Sequence, residues 1–108
     1  MLIDVHMISN VEKPGIMKMN VEIDKSQSTE DILESIFCLG NDPDYSDNCS
    51  GEFPSISSGD VIEFDGKLWM VMPAGFKQIS TDELERAKKL PRVERTLLGF
   101  LNHSMFHL

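Results

Sequence analysis

The dipeptide Asp65-Gly66 restricts the fold of this chain more than any other feature of the sequence. It separates two short segments, residues 61–64 and 67–72, that are rich in apolar residues. Asp-Gly favours a two-residue type I′ turn, because both central positions of that turn need positive φ. The turn fixes the register of the two strands, so that Ile62 pairs with Trp69. The sequence thus predicts a β-hairpin with one core face, made of Ile62, Phe64, Trp69 and Val71.

The other face of this hairpin is also apolar. It carries Val61, Leu68 and Met70 beside Glu63. A solvated strand face is normally polar. We therefore expect the C-terminal segment to cover this second face.

Two more strands are predicted upstream, from alternation of apolar and polar residues. Residues 2–8 form the first and residues 16–24 the second, and Pro14-Gly15 marks a turn in the long loop between them. They should pair as an antiparallel hairpin. His6, alone on its strand, is interpreted as an edge or surface residue. The core face of the second strand is predicted to carry Met17, Met19, Val21 and Ile23.

Helical spacing appears in two regions. Ser28 is an N-cap with Asp31 three residues later, and the helix that follows should end at Gly40. Ser80 and Glu83 form a capping box for a second helix, which Pro91 stops or kinks. Helical spacing resumes after Pro91, and its apolar side should dock on the domain or on a partner. That side is predicted to carry Val93, Leu97, Phe100 or Leu101, Ser104 and Met105.

The predicted order of elements is β-β-α-β-β-α, with a short extension in residues 75–80. This order indicates an α+β fold in which helices pack on a small antiparallel or mixed sheet. A chain of 108 residues is expected to form one domain. Its sheet-and-helix core is predicted at residues 1–79 and its C-terminal helical segment at 80–108. The opening β-β-α resembles the start of a β-grasp fold, and this resemblance by itself indicates no function.

Charge is unevenly distributed along the chain. Residues 19–66 hold twelve acids and one base, Lys25, whereas residues 67–108 hold seven bases and four acids. An acidic surface repels phosphate, so direct binding of nucleic acid is not expected. It would instead attract a protein with a basic surface, and an alternative is that the acids only keep the protein soluble. The predicted partner-binding residues are Glu22, Asp24, Glu30, Asp31, Glu34, Asp42, Asp44, Asp47, Glu63 and Asp65.

The sequence favours a cytoplasmic protein that does not enter the membrane. It has no apolar run of about 18 residues and no basic start followed by an apolar run. Cys38 and Cys49 are interpreted as free thiols, with a disulfide between them as the alternative.

Two groups of residues have some features of metal sites. His103 and His107 are four residues apart on a predicted helix, but no nearby side chain offers a third ligand. Asp42, Asp44 and Asp47 lie in one loop, but their spacing is not that of an EF-hand. We predict neither a bound metal nor a cofactor.

Catalytic signatures are also missing from the sequence. Ser55, Ser57 and Ser58 precede Gly59, but they do not form a G-x-S-x-G motif. The chain has no phosphate-binding loop and no G-x-G-x-x-G. The sequence therefore favours a binding protein over an enzyme.

The segment "SISSGDVI", followed by the hairpin and by Gly-Phe, resembles a motif of small phage, plasmid and conjugative-element proteins, the YodL-like and related families of unknown function. The resemblance covers residues 26–79, with Ile56 in place of the usual leucine and Ser58 in place of the usual valine. The matching residues are Ser55, Ser57, Gly59, Asp60, Val61, Ile62, Trp69, Gly75 and Phe76. Each of them also has a structural explanation in turns, backbone hydrogen bonds or burial.

The resemblance implies a mobile-element origin and a role in the contest between element and host. The expected function is non-enzymatic binding of a host or element protein, in a sharper form the inhibition of a defence enzyme that handles nucleic acid. The alternatives are a ligand-binding protein or enzyme with a cleft near the second hairpin, and a virion or assembly component that oligomerises through its C-terminal segment.

Overall fold

The computed structural model describes residues 1–42 and 54–101. Within these ranges the chain forms five strands and four helices. In chain order they are β1 (Leu2–Met7), β2 (Gly15–Asn20), α1 (Thr29–Gly40), β3 (Val61–Phe64), β4 (Lys67–Val71), β5 (Phe76–Ile79), α2 (Thr81–Lys88), α3 (Arg92–Thr96) and α4 (Leu98–Leu101).

The strands form one sheet in the order β2-β1-β3-β4-β5, and every adjacent pair is antiparallel. The predicted α+β class is confirmed, and the predicted short extension is the edge strand β5. The resemblance to a β-grasp fold is limited to the opening β-β-α. It does not extend further because β1 pairs in the antiparallel sense with β3, the strand that follows the helix. The β3–β4 hairpin has the predicted register, and Asp65 and Gly66 both have positive φ.

One face of the sheet packs against α1. The helix begins after Ser28, whose hydroxyl accepts a hydrogen bond from the Asp31 N–H. Its buried residues Ile32, Leu33 and Ile36 meet alternate residues of the strands. The strand residues in this core are Ile3, Val5, Met7, Met17, Met19, Ile62, Phe64 and Val71.

The opposite face packs against the C-terminal helices, as the apolar second face of the hairpin predicts. Val61 and Met70 of the hairpin lie against Leu84 and Ala87 of α2 and against Leu98 of α4. The α2 helix starts at the predicted capping box, in which Ser80 and Glu83 satisfy each other's backbone N–H groups. The sheet is therefore the central layer of three.

Two predictions about the first hairpin are wrong in detail. The second strand ends at Asn20, because its partner begins at Leu2 and only Met1 remains to bond with Val21. His6 is not an edge or surface residue, because β1 is an inner strand of the sheet. The residue is 6% exposed, and its Nε2 lies 3.1 Å from Glu63 Oε1.

Of the two contacts predicted for the apolar side of the C-terminal helix, docking on the domain is wrong, and docking on a partner stays a prediction. Val93, Leu97 and Phe100 face solvent instead of the domain. Among residues 92–100, the buried ones are Arg95, Leu98 and Gly99. The helix buries the side that carries Arg95 and not the apolar side, because Arg95 finds enough backbone acceptors in the interior.

Candidate interaction surface

Asp60 lies where the segment before β3 meets the end of β1. Its side chain is fully buried, and its Oδ1 accepts hydrogen bonds from the Ile8 N–H, the Ser9 N–H and the Ser9 hydroxyl, each at 2.9 Å. Its Oδ2 accepts the Ser57 N–H at 2.8 Å. Burial raises the pKa of the Asp60 carboxyl above its ordinary value of 3.8, because desolvation outweighs the hydrogen bonds, which lower it. The carboxylate holds the motif segment against the chain that leaves β1.

Arg95 holds the same chain from the opposite side. It is 4% exposed, and its guanidinium donates to four backbone carbonyls. Nη1 donates to Ile8 at 2.9 Å and to Val11 at 3.1 Å, Nη2 donates to Glu12 at 2.9 Å, and Nε donates to Leu90 at 3.0 Å. A charged group is tolerated in such a position only when its donors are satisfied. Arg95 thereby fixes α3 to the β1–β2 loop.

Close backbone packing completes this junction. Gly59 has φ of 98°, and a Cβ there would lie 3.0 Å from Ser9 Cβ and 3.1 Å from the Arg95 carbonyl oxygen. A Cβ on Gly99 would lie 2.4 Å from Ser58 Cβ. The motif turn and α4 thus approach so closely that only glycine fits at either position.

Sequence reasoning singled out Ser57, Gly59 and Asp60 but missed the residues that complete the junction. Ile8 contributes only backbone groups and Ser9 contributes its N–H beside its hydroxyl, and backbone hydrogen bonds leave no pattern in a sequence. Arg95 had one usable signal, since it is the single base inside the largely apolar segment "VERTLLGFL". The serines of the motif are used locally, since the Ser57 hydroxyl donates to the Ser55 carbonyl at 3.3 Å.

The outer side of α3 and α4 carries an apolar stripe, which we define as Val93, Leu97 and Phe100. These side chains are 72%, 42% and 65% exposed, and they make up half of the six exposed large hydrophobic residues in the described part of the chain. The segment therefore exposes three large apolar side chains and buries an arginine. A buried charge beside an exposed apolar patch is the informative departure from the usual pattern.

Three shallow grooves adjoin the apolar stripe and follow one another along it. The first, about 400 Å³, is lined by Asn10, Arg92, Val93, Thr96 and Leu97. The second, also about 400 Å³, shares Asn10 and Thr96 with the first and reaches Ser9, Ser57, Ser58 and Phe100. The third, about 470 Å³, shares Phe100 and continues past Met72, Pro73, Ala74, Phe76, Lys77 and Gly99.

Six of the predicted acidic residues lie together in sequence on α1 and its flanks, and all six are exposed: Glu22, Asp24, Glu30, Asp31, Glu34 and Asp42. We call these six residues the acidic face. Glu30 and Glu34 lie one helical turn apart on the same side of α1. Hydrogen bonds from the Ser26 hydroxyl and N–H lower the pKa of Asp24 below its ordinary value. Lys25 is the single base in residues 19–42.

Glu63 and Asp65 do not join the acidic face. Glu63 alternates with Ile62 and Phe64, which face α1, so its side chain lies on the opposite side of the sheet, where it contacts His6. Asp65 occupies the exposed tip of the hairpin. Asp44 and Asp47 lie outside the described residues.

The remaining motif residues lie on the α1 side of the sheet and beyond its end. Trp69 and Phe76 are half-buried and pack against the α1 core. Gly75, with φ of 83°, allows the turn before β5, in which the Met72 N–H bonds to the Gly75 carbonyl. The space between α1 and the second hairpin, predicted as a possible cleft, is filled by Ile32, Ile36, Ile62 and Phe64.

The cysteines and histidines that the sequence singled out either occupy ordinary positions or lie outside the described residues. Cys38 is an exposed free thiol on α1, and Cys49 lies outside the described residues. His103 and His107 also lie outside them. Within residues 1–42 and 54–101, no cluster of three metal-ligating side chains occurs, and no helix has both the length and the apolar composition needed to cross a membrane.

Comparison of the chain with protein-family models, with curated proteins and with solved structures gave no significant match.

Proposed function

We propose that this protein is a non-enzymatic accessory protein that acts by binding another protein, and that the acidic face contacts a basic surface of that partner. The observation that carries the proposal is the charge of one segment. Residues 19–42 present six exposed acids, three of them on the outer layer formed by α1, and a single base. Complementary charge of this kind speeds encounter and selects the partner.

The resemblance of the motif supports an origin in a phage or another mobile element, and with it a host or element protein as the partner. In its sharper form, the proposal is that the acids take the place of nucleic-acid phosphates on a host defence enzyme. Duplex DNA would then compete with this protein for the same partner. A partner that binds both at once would contradict the sharper form and leave the broader one intact.

The test compares two variants with the same net charge. In the first, Glu30→Gln, Asp31→Asn and Glu34→Gln neutralise three acids of the acidic face. In the second, Asp82→Asn, Glu85→Gln and Glu94→Gln neutralise three exposed acids of α2 and α3. Each variant is immobilised and used to capture proteins from a host extract, at low salt and at about 1 M salt, where the Debye length is about 3 Å.

We expect the natural protein and the second variant to capture the same proteins at low salt. The first variant and the high-salt wash should both lose them. Equal capture by the two variants would show that total charge and not the acidic face attracts those proteins, and the proposed contact surface would then be wrong.

A further inference from the structure

We infer that the apolar stripe is a docking site for an amphipathic segment of the same partner, one whose apolar side chains are followed by basic ones. This inference rests on the proposed function, because it adds an apolar contact to the binding of a basic protein. The stripe itself is a surface of this chain that the acidic residues do not form.

The spacing of the stripe suits helical recognition. Val93, Leu97 and Phe100 stand at positions i, i+4 and i+7, which is the spacing of anchors between a helix and an apolar surface. The short connection at Leu97 continues the helical path, since the Leu97 N–H bonds to the Glu94 carbonyl and the Phe100 N–H to the Leu97 carbonyl. The three side chains therefore project from one side of a nearly continuous helix.

The stripe is held rigid from beneath. The Thr96 hydroxyl donates to the Ser9 carbonyl at 2.6 Å, Arg95 is fixed by its four carbonyl acceptors, and Gly99 packs directly on Ser58. A surface that is ordered before binding loses little conformational entropy when a partner docks. The grooves along the stripe give that partner room for side chains on either side of the three anchors.

Charge indicates which kind of segment fits. The third groove runs from Phe100 to Pro73 and Ala74, in the turn that precedes Gly75. A Cβ on Gly75 would lie 3.8 Å from Glu30 Oε1, so the acidic face begins where the groove ends. A bound segment that leaves the stripe at Phe100 would thus meet Glu30, the neighbour of Asp31 in the sequence. Lys77 also lines the groove, so the basic residues of the segment belong on the Glu30 side of the turn.

A second copy of this chain fits the site less well. The basic residues Arg86 and Lys88 lie on α2, whose apolar residues Leu84 and Ala87 are already buried. In the described part of the chain, the other exposed large hydrophobic residues are Met1, Leu2 and Ile16. They lie on or beside strands β1 and β2 and lack the helical spacing of the stripe, so a second copy offers that spacing only through its own stripe, an arrangement that sedimentation detects.

The probe for the test is a labelled peptide of about 18 residues, built of leucine and lysine with the leucines on one helical face. Its controls are a scrambled peptide of the same composition and a leucine–glutamate peptide with the same apolar face. Fluorescence anisotropy measures the binding of each peptide to the full chain. The stripe variant carries Val93→Ser, Leu97→Ser and Phe100→Ser. Because these side chains are exposed, the variant should keep the melting temperature of the natural protein.

We expect the leucine–lysine peptide to bind most tightly and the stripe variant to weaken it about tenfold or more. Neutralising Glu30 and Asp31 should weaken the same peptide several-fold and leave the leucine–glutamate peptide unaffected or tighter. If the stripe variant binds the leucine–lysine peptide as well as the natural protein does, the inference about the stripe is wrong and the proposed role of the acidic face stands. If neutralising the acids changes nothing, the acidic face and the basic character of the partner are both wrong.

Two other occupants of the stripe are tested alongside these variants: a second copy of the chain and the chain's own C-terminal residues. Sedimentation of the protein alone that reveals a dimer, lost in the stripe variant, would assign the stripe to a second copy and overturn the inference. Substituting Met105→Ser and Phe106→Ser in the full chain tests its own C-terminal residues. A tenfold gain in peptide affinity from that change would mean that these residues occupy the stripe, and it would overturn the inference as well.

Discussion

Asp60 and Arg95 are joined through the backbone of Ile8. Asp60 Oδ1 accepts the Ile8 N–H and Arg95 Nη1 donates to the Ile8 carbonyl, both at 2.9 Å. Two buried side chains of opposite charge thus satisfy one residue from its two sides. The motif before β3 and the helix α3 are attached to the end of β1 by this arrangement, and the apolar stripe is attached with them.

Replacing Arg95 by methionine should be strongly destabilising. The substitution keeps an unbranched apolar stem but leaves four backbone carbonyls without their donor. We expect a loss of about 3–5 kcal/mol in the free energy of unfolding, measured by urea denaturation. Arg92→Met is the matched control three residues away. Its exposed pair with Glu12 should contribute less than about 1 kcal/mol, and equal losses for the two variants would contradict the role given to Arg95.

Asp60→Asn should lower stability by about 1–3 kcal/mol near neutral pH, because the new amide group faces the Ser57 N–H as a second donor. Its pH dependence carries more information. The pKa of Asp60 is raised in the folded state, so the stability tied to its protonated form is full below 3.8 and is lost as the pH rises through the folded value. The stability difference between the natural protein and the variant should therefore shrink from acid to neutral pH. A difference that grows with pH would mean that the four hydrogen bonds outweigh burial.

The variants Gly59→Ala and Gly66→Ala distinguish the stability cost of positive φ from the stability cost of steric crowding. Both positions have positive φ, but a Cβ on Gly66 meets no atom within 4 Å, whereas one on Gly59 meets Ser9, Arg95 and Leu98. Gly66→Ala should cost about 1 kcal/mol. Gly59→Ala should cost about 3 kcal/mol or more, because the neighbours that would have to move are partly backbone. Thermal unfolding of both variants provides the measurement, and similar losses would argue against close packing at the motif.

Removing the capping box at Ser80 should change the free energy of unfolding by a smaller amount and mainly affect the start of α2. Ser80→Ala removes the acceptor for the Glu83 N–H at the start of α2, and we expect a loss of about 1 kcal/mol. Ser35→Ala is the control, since Ser35 is exposed within α1 and its hydroxyl only returns to the Asp31 carbonyl. Amide hydrogen exchange should show faster exchange in the first turn of α2 for the Ser80 variant alone.

Much of the fold was predictable, because its strands and helices obey local rules. The Asp65-Gly66 turn set the register of the second hairpin, and the alternation of Val61 and Ile62 divided that hairpin between two cores. Ser28 and Ser80 marked where α1 and α2 begin. The errors arose where pairing partners decide the outcome. The second strand ends at Asn20 because β1 offers no further partner, and His6 is buried because β3 pairs beside it.

The candidate surface was less predictable. The sequence identified the acids of α1, whose exposure follows from their place opposite the buried residues of an amphipathic helix. It did not show that Glu63 lies on the other side of the sheet, since that depends on which face of the hairpin α1 covers. It also left open whether the apolar side with Val93, Leu97 and Phe100 docks on the domain or on a partner.

The sequence by itself determined the α+β class, the two-sided hairpin and an acidic segment, because these depend on period, turn chemistry and charge within a few residues of one another. Only the tertiary structure decided which side of α3 and α4 is buried. Arg95 enters the interior because the chain around Ile8 presents carbonyl oxygens there, and those acceptors come together only when the β1–β2 loop, the motif and the C-terminal helices are assembled. The apolar stripe faces solvent as a consequence.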